Sequence, residues 1–176
     1  MSLIVEDGSI IAGAESYVSV ADANDYHAKR GNTAWDALDE ADQKEPALRK
    51  ATDYMLQVYR SVWKGYRKDA SQALDWPRTL VYLEPVTTGL AGSSPYLVAD
   101  TIVPLEVKNA CCELALRAST AELSPDLTRA TLSVTVGPIS QTYDPNSVES
   151  PRYRAIDAAL APYLKLSPMN VKVGRR

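Results

Sequence analysis

The chain has 176 residues, 45% hydrophobic and 23% charged, enough for one domain with its own core and too little for two unrelated catalytic modules. Its formal net charge of −3 argues against broad nucleic-acid binding, because neutralising phosphates takes a cationic surface. The charge is uneven: residues 165–176 carry +4 from Lys165, Lys172, Arg175 and Arg176, which leaves −7 on the remainder.

At the N-terminus, Leu3-Ile4-Val5 is broken at once by Glu6-Asp7-Gly8. No run approaches the roughly 20 apolar residues of a membrane span, so neither an export signal nor a membrane anchor is expected. The first helix is predicted over residues 20–30. Ser19 is its cap, Asp22 stands at the capping-box position, Lys29 and Arg30 suit its C-terminal end, and Gly31 gives a left-handed exit. A turn and a half follows around Thr33–Leu38, with Trp35 as its apolar anchor.

The second long helix starts near Pro46, where a missing amide costs nothing. Leu48, Ala51, Met55, Val58, Tyr59 and Val62 form its apolar side, opposite Arg49, Lys50, Asp53, Gln57 and Arg60. It is expected to end around Trp63-Lys64-Gly65. Residues 66–103 have little periodicity and contain Pro77, Pro85, Pro95, Gly89 and Gly92. A connection this long is expected to be an interaction loop, with a short strand over Thr79–Leu83.

A third helix is predicted from about Pro104 to Ala121. Its polar stripe of Glu106, Asn109, Glu113, Arg117 and Thr120 is narrow, so Val107, Ala110, Cys111, Leu114, Ala115 and Ala118 face apolar surroundings and the helix is central and buried. From Leu132 the period becomes two, which reads as a β-ribbon over 131–143 broken at Gly137-Pro138. Ser150-Pro151 caps a last helix with Ile156, Ala159, Leu160 and Tyr163 on its apolar side and Pro162 at its end. The expected fold is mainly α: a small helical bundle around a central buried helix, with a β-hairpin or ribbon. Residues 1–164 form the body and 165–176 an extended basic tail.

The chemical candidates are few. His27 is the lone histidine, and no nucleophile-elbow glycine motif accompanies it, so a structural or solvated role is expected. Cys111 and Cys112 are adjacent on a helix, point apart, and lack Cys-x-x-Cys spacing, so they read as small apolar residues in a reducing compartment. Neither a Walker loop nor a dinucleotide fingerprint occurs. No enzyme activity, metal or cofactor is expected. Tyr54, Tyr59, Trp63, Tyr66 and Trp76 interleave with Arg49, Lys50, Arg60, Lys64, Arg67, Lys68 and Arg78, a pattern that can stack bases; the competing reading puts Tyr59 and Trp63 in the core.

Several stretches together resemble the head-tail adaptor, or head-completion, proteins of tailed-bacteriophage necks. These are Ile4–Gly8, Ala14–Ser19 running into Ala21-Asp22 and Tyr26, the pair Gly31 and Trp35, and Ala51–Tyr54. Further on come Trp63-Lys64-Gly65, Gln72-Ala73-Leu74 with Trp76-Pro77-Arg78, and Pro104-x-Glu106-Val107 leading to Ala110 and Glu113-Leu114-Ala115. The resemblance covers most of residues 3–165. Similar sequences are also described as DnaT-like single-stranded-DNA-binding proteins, which is the second reading.

The adaptor resemblance implies a virion protein, made in the host bacterial cytoplasm, that forms a homo-oligomeric ring, typically twelve-fold, between the portal protein and the tail or a stopper-like next neck protein. Genomic DNA would pass through without specific binding. It further implies that the tail inserts into the portal through Ser167, Met169, Val171, Lys172, Val173, Arg175 and Arg176. The loop and the ribbon would meet neighbouring subunits, with Trp76, Arg78, Tyr82, Val134, Val136, Ile139 and Tyr143 as the inter-subunit candidates.

Overall fold

The computed structural model describes residues 2–85, 95–125, 133–136, 139–142 and 153–165. Helix α1 spans Val20–Ala28, and Ser19 caps it by accepting from the Asp22 amide at 3.1 Å while donating to the Asp22 carboxylate at 2.8 Å. The helix stops two residues earlier than predicted, because Arg30 N already bonds His27 O in a tighter turn, and Gly31 then takes φ +68°. The short helix α2, Thr33–Asp36, buries Trp35 completely, and its indole N–H donates to Asn24 Oδ1 at 2.8 Å.

A π turn over Glu40–Lys44, which the sequence pattern did not reveal, leads into α3, Glu45–Tyr59. Asp39 accepts from the amides of Ala41 and Asp42, while its own amide donates to Gln43, so the turn is capped reciprocally. Ala47, Leu48, Ala51, Tyr54, Met55 and Tyr59 are buried. The prediction fails at Val58 and Val62, which are 41% and 38% exposed: α3 ends at Tyr59, so Val62 lies in the turn beyond it, where its carbonyl accepts from Lys165 N.

Helix α4, Leu105–Ala118, buries Val107, Ala110, Cys111, Cys112, Leu114, Ala115 and Ala118, as its narrow polar stripe predicts. It is shorter than expected, since Ser119–Ala121 continue only as turns. Helix α4 packs chiefly on α3, with α1 and α5 (Arg154–Leu160) also against it, so it is the spine of a mainly α fold. Ile156, Leu160 and Tyr163 of the C-terminal segment are buried, but Ala159 is exposed. A 3-10 turn over Ala161–Tyr163, containing Pro162, ends this helix. The expected Ser150-Pro151 cap and the tail from residue 166 lie outside the described residues.

Among the described residues, three two-stranded antiparallel ribbons accompany the helices. Strands β1 (Tyr66–Arg67) and β2 (Arg78–Thr79) pair Tyr66 with Thr79; β3 (Tyr82–Pro85) and β4 (Pro95–Leu97) pair Tyr82 with Leu97. The single strand predicted over Thr79–Leu83 is thus divided between two ribbons, and the break falls at Leu80, with φ +57°, and Val81. Strands β5 (Ser133–Val136) and β6 (Ile139–Thr142) form the predicted ribbon around residues 137–138, in register Val136 with Ile139.

Close backbone approaches hold these pieces on the helices. Gly65 has φ +63°, and a Cβ there would lie 2.1 Å from Thr79 O, so only glycine lets β1 meet β2. Gly8 does the same for the N-terminal loop against Thr101. Glu6 is fully buried under that loop and accepts from the amides of Gly8, Ile10 and Ile11.

Candidate functional site

Aromatic residues of the middle segment divide sharply by environment. Tyr59, Trp63, Trp76 and Tyr163 form a chain of rings with centroids 5.6 to 5.7 Å apart, and all four are buried. Tyr54 joins from α3 through Tyr59 and Tyr153. The core reading of Tyr59 and Trp63 therefore holds, and Trp76 is corrected from an inter-subunit candidate to a core residue, because segment Leu74–Arg78 is drawn inward.

Arg78 is corrected in the same way. It is only 6% exposed, and its guanidinium donates to the carbonyls of Lys64 at 2.8 Å, Gly65 at 2.9 Å and Asp75 at 3.2 Å. It thus ties β2 to the end of α3 and offers nothing to a neighbour. Burial lowers its pKa, partly offset by Asp75. Asp75 is itself fully buried and pairs with Arg60 at 3.1 Å, while its amide donates to the Tyr17 hydroxyl at 3.0 Å.

The remaining cations that could have tracked a phosphate chain are mostly engaged. Arg49 bonds Glu15 and Glu45, Lys68 faces Asp100 at 3.6 Å, and the Lys64 ammonium donates to the carbonyls of Pro162 and Tyr82. Arg67 donates to the Gln72 carbonyl. Of the five aromatic residues that interleave with them, only Tyr66 is open, at 70% exposure.

Residues 66–105 do present exposed apolar side chains. Among the described residues, seven of the ten exposed large apolar side chains belong to residues 66–105: Tyr66, Leu80, Tyr82, Tyr96, Leu97, Ile102 and Leu105. Tyr82, an expected contact residue, is among them. Sequence reading missed Tyr96 and Leu97, whose signal was an aromatic and aliphatic run, Pro95-Tyr96-Leu97, with no periodic partner, and Leu80, which it placed inside a strand without singling it out. Val134, Val136 and Ile139 lie on the β5–β6 ribbon as expected. Tyr143 and the tail candidates Ser167 to Arg176 lie outside the described residues.

His27 is structural. It is fully buried between the Cys112 carbonyl, 3.2 Å from Nε2, and the Asn32 amide, 2.9 Å from Nδ1, with its ring against Trp35. This fits an Nε2–H tautomer donating to the carbonyl and accepting from Asn32. Burial lowers its pKa, against the opposing pull of the Cys112 carbonyl and Glu113. Cys111 and Cys112 are buried free thiols, both pushed up by burial. Tyr26 is likewise pushed up to about 12 by burial and Glu113, to which its hydroxyl donates at 3.1 Å.

One cleft of about 180 Å³ lies between α3 and the turn after α4, lined by Lys50, Asp53, Tyr54, Gln57, Glu122, Leu123 and Ser124. Burial raises the pKa of Asp53, with a further push from Glu15. Among the described residues no three His, Cys, Asp or Glu side chains are grouped to hold a metal, and no helix is long and apolar enough to cross a membrane.

The family model described as "Putative DnaT-like ssDNA binding protein" matches residues 1–176. That description coincides with the second of the two family expectations and does not bear on the first. No curated protein and no solved structure matches the chain. The chain belongs to the DnaT-like family.

Proposed function

We propose that this member of the DnaT-like family is a structural connector of a tailed-phage neck, a head-tail adaptor whose copies close into a ring between the portal and the tail or the next neck protein. The observation that carries this reading is the concentration in residues 66–105 of seven of the ten exposed large apolar side chains among the described residues, four of them, Tyr66, Tyr82, Tyr96 and Leu97, on strands β1, β3 and β4, on a chain whose net charge is negative. An apolar surface of this kind favours protein contacts over a phosphate backbone. Two-stranded ribbons have free edges and little stability of their own, so pairing between neighbours would stabilise them. The acidic body would let DNA slide through such a ring.

In this reading the basic tail reaches the portal: Lys172, Arg175 and Arg176 supply charge, and Met169, Val171 and Val173 apolar anchors. Deleting residues 166–176 should leave a folded protein that no longer joins portal complexes; retained joining removes the tail from the mechanism.

The second reading, single-stranded-DNA binding, is favoured by the family description and by the open ring of Tyr66 beside Arg67 and Lys68. A salt titration against a single-stranded oligonucleotide separates the two. Submicromolar binding that weakens steeply with salt and is lost in Tyr66→Ala supports DNA binding; no measurable binding supports the connector.

A further inference from the structure

The two ends of α3 carry opposite charge. On the way into it, residues 36–42 hold four acids, Asp36, Asp39, Glu40 and Asp42, and no base. All four are exposed, and Lys44 over the Trp35 ring ties α2 to this end. Asp39 caps the π turn, and Glu40 accepts from Asn24 Nδ2 at 3.1 Å. Asp36 and Asp42 make no ion pair among the described residues. Between them lie exposed Ala37 and half-buried Leu38, a low apolar floor rimmed by carboxylates.

Past the other end, residues 60–68 hold Arg60, Lys64, Arg67 and Lys68 and no acid. Arg60 pairs with Asp75, and Lys68 faces Asp100. Lys64 and Arg67 donate to carbonyls, which satisfies their hydrogens and leaves both cations without an ion pair among the described residues. Three exposed apolar side chains, Tyr66, Leu80 and Tyr82, stand around them. Gly65 lies against the backbone of Thr79 and Leu80, and the Lys64 ammonium reaches Tyr82 O at 3.3 Å. The fifteen residues of α3 hold the two ends about 22 Å apart at 1.5 Å per residue.

We infer that copies of this chain join head to tail along α3: Tyr66, Leu80 and Tyr82 of one copy seat on Ala37 and Leu38 of the next, with Lys64 and Arg67 facing that copy's Asp36 and Asp42. The inference rests on the ring reading and supplies the surface that the apolar patch meets. A two-fold contact, patch against identical patch, would set Lys64 and Arg67 against cations of the same kind. The acid-rimmed floor replaces that repulsion with attraction, and complementary charge fixes partner and register. Because the two surfaces differ and lie at opposite ends, the contact is heterologous, the type that repeats until a ring closes. A single-stranded nucleic acid would use the Tyr66 end and leave the acidic end without a role.

The test is cross-linking of the full chain by a short bismaleimide, with Thr79→Cys and Ala41→Cys introduced singly and together. Thr79 pairs directly with Tyr66, so their side chains share a face, and Ala41 is exposed beside the floor. Cys111 and Cys112 are buried, so the introduced thiols react first. The linker is too short to span α3 within one chain, and at about 1 mM chain even a contact with a millimolar Kd is well populated. The double variant should give a ladder of covalent oligomers beyond the dimer, while each single variant stays monomeric. Adding Asp36→Lys and Asp42→Lys should slow the ladder about tenfold, because two attractions become repulsions. Dimers from a single variant, monomers throughout, or a ladder indifferent to the acid reversal would overturn the inference; capture of a single-stranded oligonucleotide in place of a ladder would give the Tyr66 surface to DNA. Native mass of the unmodified chain with a tailed-phage portal protein reads the ring separately. A ring without the ladder discards this contact alone, and a ladder without the portal complex keeps the contact and discards the portal.

Discussion

Trp76 and Tyr82 lie six residues apart in one stretch of chain and meet opposite environments. Around Trp76 the backbone is pulled inward: its ring packs between Trp63 and Tyr163, and two residues on Arg78 clamps three carbonyls. Around Tyr82 the chain has turned out onto a two-stranded ribbon that leaves Leu80, Tyr82, Tyr96 and Leu97 open. The switch occurs at Leu80 and Val81, where a left-handed residue is followed by a fully buried one. Similar side chains thus serve stability in one segment and are left exposed in the next, which composition alone cannot separate.

The inward segment should answer to substitution with stability. Trp76→Ala removes a fully buried ring from the aromatic chain and should cost about 3–5 kcal/mol in denaturant unfolding; a cost near zero would mean that the segment does not hold the core. Arg78→Met should cost less, about 1–3 kcal/mol, because it strands the carbonyls of Lys64, Gly65 and Asp75. Arg78→Lys should rescue little, since a single ammonium cannot reproduce the fork.

A smaller effect belongs to His27, which is buried against the Cys112 carbonyl of α4. Its folded pKa is held below the ordinary 6.5 by burial. Between that lowered value and 6.5 the unfolded chain binds a proton that the folded chain refuses, so stability falls as pH drops through this window. The melting temperature should therefore decline from pH 7 to pH 5, and His27→Gln should flatten that decline; an unchanged slope would assign it to other groups. The outward segment should give the smallest change: Tyr82→Ser with Tyr96→Ser should alter stability by no more than about 0.5 kcal/mol while abolishing assembly. Loss of folding instead would make the ribbon part of the core.

The helices were legible because each carried its own punctuation. Ser19 and Gly31 marked α1, Pro46 the start of α3, and a five-residue polar stripe gave the burial of α4. Those signals are local, within a turn or two of the residues they govern. The segment after Gly65 had no such signal. Whether Trp76 and Arg78 face in or out depends on Trp63, Tyr163 and the carbonyls of residues 64 and 65, contacts set by tertiary packing and invisible to periodicity. The π turn at Glu40–Lys44 was hidden for a related reason: its caps, Asp39 and Gln43, lie among six polar residues that read equally well as loop. Val62 is exposed because α3 ends before it, at Tyr59, whereas Val58 is exposed within the helix.

The proposed function rests on one claim, that the outward ribbon would join copies of this chain into a ring. Native mass measurement on the chain mixed with a tailed-phage portal protein tests that most directly. The account predicts a complex holding a full ring of copies on each portal assembly, lost with Tyr82→Ser and Tyr96→Ser. Free portal beside unassembled chain would contradict it, and steeply salt-sensitive capture of a single-stranded oligonucleotide by the same sample would put DNA binding in its place.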